Sequence, residues 1–177
     1  MRYKQIIKLI EDLKPETVLE VGTHKAQRPK EWFNVHKFKM YYGFDVFDLG
    51  TNELNRKEMN GKGFCNRKFA ESQLKDIPHK LTEGNTLNTL PEFAFEYLHK
   101  ENEGIEFAFI DGGHSEDTIR SDWENVKQVM KPGGIVIFDD YYQPIRPGFG
   151  CNNIIKDLEH IVLPEGNGGV YLVSTRV

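Results

Sequence analysis

Two stretches, IEFAFID at 105–111 and GIVIFDD at 134–140, are apolar without alternation, and each ends in aspartate. A strand buried on both faces has this pattern, and such strands belong to parallel sheets covered by helices on both sides. Between them, Ile119, Trp123, Val126 and Met130 recur at helical spacing from Ser115 to Met130, and KPGG supplies a helix stop and turn. This is a strand, helix, strand crossover, and the rest of the chain repeats it.

Ile6, Ile7, Ile10 and Leu13 predict an amphipathic helix that stops before Pro15. TVLEVGT (17–23) and MYYGFDVFD (40–48) read as strands, with a helix at KEWFNVHKF between them. HKLTEGNT (79–86) gives a short strand and turn, and LPEFAFEYLHK a helix. After the loop YYQPIRPGFG, CNNIIKDLEHI reads as a last helix and IVLPEGNGGVYLVST as two strands joined by a glycine-rich turn. The expectation is an α/β domain whose largely parallel sheet is covered on both faces and ends in an antiparallel hairpin. Trp32, Phe33, Phe93, Phe95 and Trp123 are expected in its core.

With 177 residues and 38% hydrophobic content, the chain fits one domain, 1–177. A net charge of -4 supplies no bulk field toward nucleic acid or an anionic membrane. Cys65 and Cys151 lack metal-ligand spacing and read as plain thiols of a reducing compartment. The start of the chain lacks the continuous apolar run of a signal peptide, and no span of about eighteen apolar residues occurs. A cytoplasmic location is the expectation. From 49 to 78 the composition turns polar, with glycines at 61 and 63; a helix near Glu71 to Ile77 and an insertion on the substrate side of the site are expected.

In parallel sheets ligands bind at the carboxyl ends of the strands. Those ends carry Glu20 with Gly22, Asp45, Glu83 with Asn85, Asp111, and Asp139 with Asp140. Gly22 follows the first strand, where the backbone turns tightly, although His24 and Gln27 stand where a dinucleotide fingerprint has its later glycines. Asp45 lies at the spacing from that turn at which a carboxylate accepts both ribose hydroxyls of a nucleoside. Asn85 and Thr86 offer polar groups near a base, or equally a helix N-cap. Asp111, Asp139 and Asp140 would repel one another unless a cation or hydrogen-bond donors compensate. A hard divalent ion such as Mg²⁺ fits that set; separate turn-forming roles are the alternative. His114, at the lip of the same rim, has the chemistry to take a proton from a substrate hydroxyl.

VLEVGT, YYGFDVFD, LTEGNTLNTLP, FAFIDGGHS and MKPGGIVIFDDYY, in this order, resemble class I S-adenosylmethionine-dependent methyltransferases. The likeness is to the small-molecule O-methyltransferase-like branch, of macrocin and catechol type. The resemblance implies a Rossmann-like, doubly wound, seven-stranded sheet with an antiparallel last strand. It implies S-adenosylmethionine held by Gly22 and Thr23, with Glu20 toward the methionine end, Asp45 on the ribose, Asn85 and Thr86 near the adenine, and Asp111 also among the cofactor-binding residues. It further implies Mg²⁺ on Asp111, Asp139 and Asp140, with His114 and Asp111 catalytic and a small-molecule hydroxyl as acceptor. Ala26, Gln27 and Arg28 depart from the further glycine and serine or threonine usual in that branch. No nucleic-acid or membrane partner is expected, and a homo-oligomer is left open. Two rivals stand beside this reading: a binding module without turnover on the same fold, and a nicotinamide or nucleotide-sugar enzyme on a related one.

Overall fold

The computed structural model describes residues 3–59, 61, 63–100 and 103–177. Its centre is one seven-stranded sheet in the order β3-β2-β1-β4-β5-β7-β6, with β1 Thr17–Val21, β2 Met40–Asp45, β3 His79–Glu83, β4 Ile105–Ile110, β5 Met130–Tyr142, β6 His160–Val162 and β7 Val170–Arg176. The first five strands pair in parallel, and β7 runs antiparallel to both β5 and β6. The order reverses between β1 and β4, which are direct neighbours, and that switch point opens a crevice at the strands' carboxyl ends.

Helices cover both faces: α1 Lys4–Leu13, α2 Gln27–Val35, α3 Asn52–Glu58, α4 Arg67–Gln73, α5 Thr86–Leu98, α6 Glu116–Val129 and α7 Asn152–Ile155. The pleat sends alternate residues to opposite sides. Leu19, Val21, Ala108, Ile110, Val136 and Phe138 pack with residues of α5 and α6. Val18, Phe107, Phe109, Ile135 and Ile137 pack with Ile6, Ile10, Trp32, Ala70 and Leu74 from the other layer. Both layers being dry explains why β4 and β5 read as unbroken apolar runs.

Four local expectations change. KPGG is drawn into β5 rather than ending as a free turn, with Gly133 taking a φ of +82°. The last helix is a single turn, Asn152–Ile155, because the chain from Leu158 must reach the β6 edge. The 49–78 segment forms two capped helices, with Thr51 accepting from the Leu54 N–H and Asn66 from the Phe69 N–H. Phe95 is 66% exposed on the outer side of α5, whereas Trp32, Phe93 and Trp123 are buried. Cys65 and Cys151 are both free thiols, and no helix among the described residues is long and apolar enough to cross a membrane.

Candidate active site

At the end of β1 the backbone turns at Gly22 with a φ of +92°, and a Cβ there would fall on the carbonyl oxygen of Asp111. The glycine is therefore demanded by the close approach of β1 and β4 as well as by the turn. His24 and Ala26 continue the turn in left-handed conformations, at φ 49° and 52°. Ala26 is fully buried.

A cavity opens beside this turn. Gly22, Asp45, Asn85, Thr86 and Gly112 line it together with Phe44, Val46 and Leu87. Its outer wall is Leu54, Lys57, Glu58, Met59 and Phe64, all from the 49–78 segment. Asp45 accepts the His24 N–H at 2.7 Å on one oxygen and the Phe47 N–H at 3.0 Å on the other. Asn85 caps α5 by accepting from the Leu87 N–H, so the N-cap alternative for this residue holds while its side chain still borders the cavity.

Thr23 is turned away. Its hydroxyl lies 2.9 Å from the Tyr41 hydroxyl, which in turn donates to Glu20 at 2.5 Å. Glu20 is fully buried, and burial raises its pKa against the lowering effect of Arg28. Its other oxygen accepts from the Arg28 Nε at 2.7 Å, and Arg28 reaches on to Asp111 at 2.6 Å and to the Gly22 carbonyl at 2.8 Å. The guanidinium carbon also lies 5.4 Å and 5.1 Å from the ring centres of Tyr3 and Phe109. Asp111 is raised too, by burial first, with Arg28 opposing and Asp140 adding to the rise.

Asp111, Asp139 and Asp140 are neighbours, as the sequence predicts, but each is met by protein donors. Asp139 accepts the Tyr3 hydroxyl at 2.7 Å and the Asp140 N–H at 2.7 Å. Asp140, at a left-handed φ of 61°, accepts the Tyr142 hydroxyl at 3.0 Å and faces His114 Nε2 at 3.5 Å. Among the described residues no three His, Cys, Asp or Glu side chains are grouped to hold a metal ion. Each of the three aspartates thus already has protein partners, hydroxyl or N–H donors on Asp139 and Asp140 and the Arg28 guanidinium on Asp111, which compensate the charge a divalent ion would otherwise meet.

His114 is buried at 4% exposure, and its backbone is held from two sides. Its N–H donates to the Glu58 carbonyl and its carbonyl accepts the Gly150 N–H. Three further residues were not singled out by sequence reasoning as site residues. Arg28 was seen only as a departure from a motif. Glu58 lies in a segment without periodicity, yet its carboxylate accepts the Ser115 N–H at 3.0 Å and hydroxyl at 2.9 Å. Asp122 is fully buried in α6, with neither carboxylate oxygen hydrogen-bonded; Thr86 is near enough to act on it but closes no bond. Burial pushes its pKa up to about 7.

A switch-point crevice, a glycine turn and a strand-end carboxylate beside a cavity define a Rossmann-like domain whose cavity opens at the carboxyl ends of the strands. The chain belongs to the methyltransferase-domain family, whose model matches residues 19–141. This membership sets aside the nicotinamide alternative. No curated protein matches. Among solved structures, the O-methyltransferase from Bacillus cereus in complex with S-adenosylhomocysteine is similar at a TM-score of 0.70 and 13% identity, covering 99% of this chain and 80% of that one. TomG from Streptomyces achromogenes, an O-methyltransferase of tomaymycin synthesis in complex with S-adenosylmethionine, is similar at 0.68 and 14%, covering 99% and 79%. The N-methyltransferase NodS from Bradyrhizobium japonicum is similar at 0.61 and 13%, covering 98% and 93%.

Proposed function

We propose that this chain transfers a methyl group from S-adenosylmethionine to a hydroxyl of a small polar molecule. The observation that carries the proposal is the cavity at the carboxyl ends of the strands, bordered by Asp45 at the end of β2 and by Gly112 and Gly113, which lead directly into His114 opposite Asp140 at 3.5 Å. Family membership and the bound S-adenosyl ligands of the first two neighbours support the cofactor class. When bound, S-adenosylmethionine supplies an electrophilic methyl on a sulfonium.

The chain's own residues divide the remaining work. Phe44, Val46, Leu54 and Leu87 give the apolar walls that suit a flat base and exclude water from it. Each Asp45 oxygen accepts one backbone N–H and retains a lone pair for a vicinal diol. Thr86 and the Asn85 amide border the base. Glu20 acts through Arg28 rather than by direct contact, since it is enclosed. His114 takes the proton of the acceptor hydroxyl, and Asp140 stabilises the imidazolium that results. Asp111, fixed by Arg28, orients the acceptor at the rim. The loop at 143–150, pinned to α6 by the Glu116 N–H on the Gly148 carbonyl, presents the exposed Ile145 and Phe149 as the acceptor's apolar border. A divalent ion is left out of this proposal, because the three aspartates already have protein partners.

Calorimetric titration with S-adenosylhomocysteine tests the cofactor half. Binding that Asp45→Ala weakens by roughly tenfold or more is expected, from the loss of charge-assisted hydrogen bonds to the diol. Methyl transfer lost in His114→Ala, with that binding retained, tests the catalytic half. Binding without transfer to any hydroxyl acceptor would favour the module without turnover.

A further inference from the structure

We propose that Arg28 is the resident cation of the acidic rim, filling the electrostatic role that a divalent ion would otherwise have, so that ligand binding here is independent of metal. The proposal rests on the S-adenosyl reading of the site for its ligand, though not for its central test.

Carboxylates at neighbouring strand ends are tolerated only when their charge is compensated. Arg28 compensates two of them at once, through Nε on Glu20 at 2.7 Å and Nη1 on Asp111 at 2.6 Å. Its third nitrogen is spent on the Gly22 carbonyl at 2.8 Å, which ties the cation to the turn that borders the cavity. Tyr3 and Phe109 lie beside the guanidinium, so it is held by rings as well as by acceptors. The three contacts come from β1, the β1 turn and the end of β4, the elements a metal would have to bridge.

The other two acids are settled differently. Asp139 takes the Tyr3 hydroxyl and Asp140 the Tyr142 hydroxyl, with His114 opposite. A divalent ion on Asp111, Asp139 and Asp140 would need Arg28 to release Asp111 and would then lie close to its positive charge, at a cost that opposes uptake. A planar fork with several donors suits this position where a lysine would satisfy only one carboxylate well.

Manganese is the probe, read by its electron paramagnetic resonance on the protein alone. The expected result is no bound Mn²⁺ in the native chain and uptake of about one ion per chain in Arg28→Met, lost again in Arg28→Met with Asp111→Asn. A native chain that binds Mn²⁺ and loses it in Asp111→Asn overturns the proposal. Calorimetry with S-adenosylhomocysteine adds a second reading: affinity unchanged by a chelator, reduced roughly tenfold in Arg28→Met and partly restored in Arg28→Lys. Affinity that collapses with chelator overturns it too. Should S-adenosylhomocysteine fail to bind under any condition, the cofactor reading falls, while the manganese experiment still decides the role of Arg28. Circular dichroism confirms that each variant is folded, and Arg28→Gln, which removes the charge while keeping hydrogen-bond donors, takes the place of Arg28→Met if that variant does not fold.

Discussion

Gly22 shows how one residue ties sequence to site. Its φ of +92° and the Asp111 carbonyl beside it leave no room for a Cβ, so Gly22→Ala combines left-handed strain with a backbone clash. We expect Gly22→Ala to cost about 4 kcal/mol or more in urea denaturation; a loss below about 1 kcal/mol would show that β1 and β4 can separate without penalty. The glycine was legible because only a turn or close approach explains it at the end of an apolar strand. Asp45 was legible through its spacing. Arg28 was not, since an arginine on a helix reads as a surface residue until the fold brings Glu20 and Asp111 to it. Asp122 left a signal that sequence reasoning passed over: it lies three residues after Ile119 and four before Val126, on the same inward face of α6.

At the scale of elements, the strands and long helices followed from periodicity, and the expected largely parallel sheet ending in an antiparallel pair is what forms. The 49–78 segment was the least legible, because α3 and α4 are short helices fixed by N-caps and by contacts distant in sequence rather than by an apolar stripe. Glu58 is the main such contact. Its carboxylate holds the Ser115 N–H and hydroxyl, and its carbonyl holds the His114 N–H. One residue thus fastens the cavity wall to the N-terminus of α6, where a negative charge is favoured. Glu58→Ala should leave the sheet protected from hydrogen exchange while 52–59 and 113–116 exchange faster, and should weaken S-adenosylhomocysteine binding several-fold. Uniformly faster exchange across the chain would instead mark Glu58 as a support of the global fold.

For the whole molecule, buried acids set the pH response. Glu20, Asp111 and Asp122 all have raised pKa values, with burial the largest cause in each. A carboxyl whose folded pKa lies above its unfolded one binds more protons in the native state, so stability falls as pH rises through that window. For Asp122 the window runs from an unfolded value of about 3.9 to a folded value of about 7; below it the penalty is absent, and above it complete. Lowered acids such as Glu106 and Glu116 act in the opposite sense, losing stability as pH falls, but they are partly exposed and screened. The buried set therefore dominates between about pH 5 and pH 7. Thermal melts of the native chain should show a higher midpoint at pH 5.5 than at pH 8, at fixed ionic strength, by a few degrees for a change of about 1 kcal/mol. Asp122→Asn removes a buried acid that, alone among the buried acids of the described residues, has no hydrogen-bond partner on its side-chain oxygens, and should flatten that slope chiefly by raising the midpoint at pH 8. A native midpoint that instead rises steadily from pH 5.5 to pH 8 would mean that Asp122 is ionised in the folded chain.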